Sequence, residues 1–173
     1  MRLFIGIELP YEFKNHIAMS VAPTHTSVKG WENAHDYHMT LLFIGDTPED
    51  KLEGIIQRLR QIHFSPLTLT FKTFAFFPRR VFYLSCEPSQ ELLNLKSMIE
   101  SIYSEYVRVE TKKFIPHITL KRFQRYEYDE LRMKVLENPF EVKKIVIDHV
   151  ALFKSEKDSD NHKYHVLERN KSL

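Results

Sequence analysis

Tyr37-His38-Met39-Thr40-Leu41-Leu42-Phe43-Ile44 reads as a strand, and its central tetrapeptide returns as His117-Ile118-Thr119-Leu120 inside a second apolar run, residues 114–123. Side chains alternate along a strand, so His38 shares a face with Thr40, and His117 with Thr119. Met39, Leu41, Ile118 and Leu120 then point the other way, as core. Nine histidines among 173 residues allow one such tetrapeptide by chance, but a second in a matched setting asks for another explanation.

Working outward, the two copies hold the same place in two similarly ordered halves. Residues 3–9 (LFIGIEL) alternate as a strand, and Pro10 opens a helix over 11–21. Residues 22–36 read as loop before the first motif strand. The turn Gly45-Asp46-Thr47-Pro48 follows, with Thr47 expected to cap a helix over 48–62 and Asp50 three residues on. Leu52, Ile55, Ile56 and Leu59 give that helix its buried stripe. Residues 66–76 close the first half as a strand. The second half runs strand (80–86), helix (88–106, with Leu92, Leu95, Ile99, Ile102 and Tyr103 at helical spacing), the second motif strand, a short helix (128–136) and a long strand over 140–153. A charged loop, 155–162, precedes a last strand over 163–169. The shared order predicts a single α+β domain over 1–173, with pseudo-repeats of roughly 1–77 and 78–155. Two sheet-and-helix lobes with mainly antiparallel sheets, related by a pseudo-twofold axis, would place the motif strands on either side of a central cleft.

Composition narrows the function. The chain is 43% hydrophobic and 28% charged, as expected of one globular domain, and its net charge of +2 lacks the basic excess of a protein that coats nucleic acid. Four scattered glycines leave no phosphate-cradling loop and no dinucleotide fingerprint, which argues against nucleoside triphosphate chemistry. Cys86, the single cysteine, can form neither an internal disulfide nor a zinc pattern, and that usage suits the cytoplasm. No apolar run approaches the length of a membrane span, and the run at residues 3–9 is short and carries Glu8. The expectation is a soluble cytoplasmic monomer.

Two imidazoles and two hydroxyls across a cleft suit in-line displacement at phosphorus. An imidazole titrates near neutral pH, so one histidine can begin neutral as base and the other protonated as acid. Thr40 and Thr119 can donate to the non-bridging phosphate oxygens. The scheme requires neither metal nor cofactor, and the strained ring of a 2′,3′-cyclic phosphate suits it. A lone strand histidine is ordinarily structural; the duplication and the paired threonines favour chemistry. Simple alternation puts Lys121 on the face of His117 and Thr119. The pairs Arg79-Arg80 and Lys112-Lys113, with Lys121, Arg122 and Arg125, are either solvated charges or guides for an RNA backbone. Trp31 and Phe77 either stack a base or belong to the core, with core the expected place for Phe77. His162 and His165 read as a surface pair rather than metal ligands.

Beyond the motifs, further stretches carry a family likeness: residues 2–10 (RLFIGIELP), residues 31–45 ending HMTLLFIG, Phe77-Pro78 ahead of Arg80-Val81-Phe82-Tyr83-Leu84, Pro116-His117-Ile118-Thr119-Leu120-Lys121-Arg122, Leu152-Phe153-Lys154-Ser155 and residues 164–169. Together they resemble the 2H phosphoesterase superfamily, and within it the RNA 2′,3′-cyclic phosphodiesterase (2′-5′ RNA ligase-like) family. The resemblance implies a bilobal fold and hydrolysis of RNA 2′,3′-cyclic phosphate ends to 2′-phosphates. It casts His38 as proton donor to the leaving 3′ oxygen and His117 as the base that activates water, roles that spacing alone leaves open. It also favours Arg122 over Lys121 as the phosphate-binding cation. Phe74-Ala75-Phe76 departs from the family, whose members carry glycines shortly before the Phe-Pro step. Ligation to a 2′-5′ linkage, hydrolysis of a small cyclic nucleotide and nucleotide binding without turnover are the alternatives.

Overall fold

A computed structural model describes residues 1–26, 29–78, 80–107, 113–158 and 161–171. Arg79, Lys112 and Asp160 lie outside the described residues. The chain forms β1 (Arg2–Glu8), α1 (Tyr11–Val21), β2 (His38–Asp46), α2 (Leu52–Leu59), β3 (Leu67–Phe77), β4 (Val81–Cys86), α3 (Gln90–Ile102), β5 (His117–Arg122), α4 (Tyr128–Glu137), β6 (Lys143–Ile147), β7 (His149–Asp158) and β8 (Asn161–Lys171).

The described strands make one antiparallel sheet in the order β6-β3-β4-β5-β2-β1-β7-β8. Its two four-stranded halves are joined where β2 meets β5, through the single pair Met39 and Ile118. Each half is a lobe. The lobes exchange strands: β3 pairs with β4 and β6, whereas β7 crosses back to β1. Hence the motif strands β2 and β5 are neighbours at the centre although 79 positions separate His38 from His117.

Alternation explains which face is core. Leu3, Ile5 and Ile7 of β1, Met39 and Leu41 of β2, and Ile118 and Leu120 of β5 are buried in the main core with α1 residues Phe13, Ile17 and Val21 and α3 residues Leu92, Leu95 and Ile99. Those helix positions recur every three or four residues, the spacing of one helix face. Across the sheet, Phe4, Ala151 and Phe153 form a smaller buried cluster, so β1 is apolar on both faces.

Three expected elements differ. The long strand expected over 140–153 is two strands broken at Asp148, because Ile147 pairs with Leu67 in one lobe and His149 pairs with Lys171 in the other. Thr47 does not cap a helix: its hydroxyl donates to the Gly45 carbonyl, and a 3-10 turn, Glu49–Lys51, leads into α2. The charged segment 155–162 belongs mostly to a hairpin, with Glu156 paired to Lys163 and Lys157 to His162. Charge content suggested a loop there, but an edge hairpin tolerates charge on its solvated face. Ser89, by contrast, caps α3 by accepting from the Leu92 amide at 3.3 Å.

Candidate active site

Both motif strands carry the same irregularity. Along β2 the partners of Ile5 and Gly6 are Leu42 and Thr40, so Leu41 is an extra residue; along β5 the partners of Phe82 and Tyr83 are Lys121 and Thr119, so Leu120 is extra. A bulge of one residue reverses the alternation beyond it. His38, Thr40 and Phe43 of β2 therefore share a face, as do His117, Thr119 and Arg122 of β5, and all six line one cleft of about 360 Å3.

Lys121 is carried the other way. Its side chain is fully buried, with Nζ 3.2 Å from Glu127, donating to the Lys29 carbonyl and 5.1 Å above the Trp31 ring. The alternation reading of Lys121 as a cleft residue is corrected by the bulge at Leu120, which puts Arg122 there instead. Trp31 is likewise drawn away, stacked on His25 at 4.0 Å and edge-on to Phe82. Phe77, expected in the core, is half-buried and lines the cleft, edge-on to His117 at 4.9 Å.

The two imidazoles are held alike. His38 Nδ1 lies 2.6 Å from the Asp36 carbonyl, and His117 Nδ1 lies 2.7 Å from the Ile115 carbonyl, each two residues earlier in the chain. A carbonyl only accepts, so each Nδ1 carries its hydrogen and each Nε2 is the proton-exchanging atom. Their surroundings differ. His38 is packed among Phe4, Phe153 and Tyr164, with ring centroids at 4.8, 5.5 and 4.5 Å. That burial pushes its pKa down to about 4, against the opposing pull of the Asp36 carbonyl. His117 is lowered too, chiefly by burial, with the charge of Arg122 adding to the effect.

Arg122 is braced by groups that pattern reading missed. Glu32 Oε1 lies 3.3 Å from Arg122 Nε, and Tyr164 lines the cleft beside the same guanidinium. Glu32 is positioned by backbone: its amide donates to the Leu120 carbonyl at 2.9 Å, and the Arg122 amide donates to the Gly30 carbonyl at 2.7 Å. Gly30 takes φ +81, and a Cβ there would lie 2.0 Å from the Arg122 carbonyl oxygen, so glycine is required on both counts. The one signal in the sequence was a glycine beside Trp31.

Arg80 and Arg125 line a groove of about 610 Å3 that continues from Arg122 and Val81. His162 faces the cleft, whereas His165, three positions along β8, pairs with Glu156 at 3.3 Å. Among the described residues, no group of three or more His, Cys, Asp or Glu is placed to hold a metal. No helix is long and apolar enough to cross a membrane among them.

Known proteins resemble this chain in sequence and fold. The Thermotoga maritima protein named RNA 2′,3′-cyclic phosphodiesterase is 28% identical over 163 residues, 90% of this chain and 87% of that one. The Thermus thermophilus protein of the same name is 31% identical over 140 residues, 70% of this chain and 68% of its own length. Among solved structures, E. coli LigT complexed with NADP+ aligns with a TM-score of 0.81 at 25% identity, covering 99% of this chain and 97% of the other. The 2′-5′ RNA ligase superfamily matches residues 21–159, most of the chain and both motif strands. On that match and that likeness, the chain belongs to the 2′-5′ RNA ligase superfamily, the 2H phosphoesterases.

Proposed function

We propose that the protein hydrolyses RNA 2′,3′-cyclic phosphate ends to 2′-phosphates. The observation that carries this reading is the pair of imidazoles in one cleft, each with Nδ1–H fixed by a backbone carbonyl and Nε2 left to exchange protons. His117 Nε2 takes a proton from water as the water oxygen bonds to phosphorus. The bond from phosphorus to the 3′ oxygen breaks, and His38 Nε2–H gives that oxygen its proton. Thr40 and Thr119 hydroxyls and the Arg122 guanidinium hold the non-bridging oxygens, where negative charge grows. Burial holds His38 neutral at pH 7, and the anionic diester draws its pKa upward, so the donor is charged with substrate in place. The relatives' shared name and the groove through Arg80 and Arg125 support an RNA end as substrate.

The matching bulges at Leu41 and Leu120 support a further reading, that residues 1–173 form one domain of two pseudo-repeats, roughly 1–77 and 78–155. The same chemistry with a 5′-hydroxyl in place of water would give a 2′-5′ linkage. The deciding assay uses an oligonucleotide ending in a cyclic phosphate, with and without sulfur at the bridging 3′ position. A thiolate leaves without an acid, so sulfur should restore turnover to His38→Ala and not to His117→Ala. Restoration of His117→Ala alone would reverse the two roles. Absence of turnover by the wild type would overturn the reading, and a 2′-5′-linked product in place of a 2′-phosphate would replace hydrolysis with ligation.

A further inference from the structure

Beside the cleft, a second cavity of about 520 Å3 opens along residues 40–44 of β2, where that strand parts from β5 beyond Met39 and Ile118. It shares Thr40, Phe43, Phe77 and His117 with the cleft, so a ligand whose phosphate lies between the histidines extends directly into it. The remaining lining is largely apolar, Phe114 and Ile115 included. Three charged groups interrupt it: Lys113, and Lys96 and Glu100 of α3, one helical turn apart. Lys96 Nζ lies 2.5 Å from Glu100 Oε1, donates to the Leu41 carbonyl at 3.2 Å and sits 5.0 Å from the centre of the Phe114 ring. The second carboxylate oxygen of Glu100 has no hydrogen-bond partner among the described residues.

Stability does not account for this pair. An i,i+4 ion pair in water stabilises a helix only slightly, and withdrawing both charges from water costs more than that. Here the side chains are only 15% and 21% exposed, on the wall of an apolar cavity. A mainly apolar cavity with a few converging polar groups is the composition of a small-molecule site.

We propose that Lys96 and Glu100 read the edge of the terminal base and select guanine, an assignment that rests on the cyclic-phosphate reading above. An ammonium beside a carboxylate presents a donor next to an acceptor. Guanine answers with O6 for the ammonium and two adjacent donors, N1–H and the 2-amino group, for the carboxylate. Adenine and cytosine offer the carboxylate one exocyclic amino group, and uracil offers only N3–H. Aromatic walls accept any base, so discrimination falls to this edge contact.

The test compares turnover of guanosine, adenosine, cytidine and uridine 2′,3′-cyclic monophosphates by the wild type and by Glu100→Gln. A hydrogen bond to a charged group corresponds to a factor of about ten or more, so wild-type kcat/KM should favour guanosine over uridine by about tenfold. In Glu100→Gln, which replaces one acceptor oxygen by a donor, that ratio should collapse toward one. Equal use of the four substrates by the wild type would overturn the inference, as would a guanosine-to-uridine ratio unchanged in Glu100→Gln of native circular dichroism. If the wild type turns over none of the four, the hydrolysis reading for mononucleotides fails separately. Calorimetric binding of guanosine and uridine 2′-monophosphates then decides the base question, with equal affinities overturning it and a guanosine preference lost in Glu100→Gln upholding it.

Discussion

The two motif strands agree for six residues and part at the end. His38 to Phe43 and His117 to Arg122 show the same sequence of half-buried, buried and exposed positions, with the same extra leucine. Past that leucine, β2 turns Phe43 into the cleft and β5 turns Arg122 into it. One strand therefore contributes an apolar wall and the other a cation. The histidines diverge in the same sense, His38 enclosed by three aromatic rings and His117 set edge-on beside the stacked pair Phe77 and Tyr83. A symmetric scaffold has been given an asymmetric lining, as an asymmetric reaction needs.

Removing what the strands share should have the largest effect. His38→Ala and His117→Ala should each lower kcat by about 10²- to 10⁴-fold, the usual contribution of a general acid or base. Matched circular dichroism and steady-state turnover on a cyclic-phosphate oligonucleotide check this. Activity of either variant near wild type would break the equivalence of the two copies.

Next comes the difference in burial. His38 is held neutral in the fold at a pKa of about 4, against about 6.5 unfolded, so the unfolded chain binds the extra proton as pH falls. Its stabilising contribution is complete above pH 6.5 and is lost between pH 6.5 and 4, amounting to about 3 kcal/mol. Denaturant titrations across that range should show a shallower pH slope for His38→Asn than for the wild type. Equal slopes would mean that water reaches His38 as freely as any surface imidazole.

Much of this arrangement was legible in the sequence because it is local. Strand alternation paired His38 with Thr40 and His117 with Thr119, and the repeated element order placed them in facing lobes. What alternation could not show was the bulge. Leu120 looks like any core leucine, yet as an extra residue it sends Lys121 inward to Glu127 and Arg122 outward. The long strand expected over 140–153 failed for a related reason: local pattern records burial, not the partner, and Ile147 and His149 have partners in different lobes. Glu32 and Tyr164 lay beyond reach because they come to Arg122 from distant segments.

Arg122 against Phe43 supplies the next contrast. Arg122→Ala should lower kcat/KM for an anionic substrate by about 10- to 100-fold, the range expected on losing a charge-assisted contact. Phe43→Ala should leave the salt dependence of KM as in the wild type, because no charge is removed, whereas Arg122→Ala should flatten it. An identical salt response of the two variants would show that Arg122 does not meet the phosphate.

The smallest effect concerns what steadies Arg122, for which Phe43 needs no counterpart. Glu32 holds Nε of the guanidinium and so leaves the Nη edge to a ligand. Burial raises the Glu32 pKa, against the pull of Arg122, so this carboxylate is kept charged at a cost. Glu32→Gln keeps an oxygen acceptor near Nε but removes the negative charge, and should lower KM about threefold with kcat little changed. Glu32→Ala removes the brace as well, so kcat should fall while KM rises. A brace acting only on fold stability would shift the melting temperature in both variants and leave both kinetic constants alone, so the split between kcat and KM is the measurement that separates the two roles.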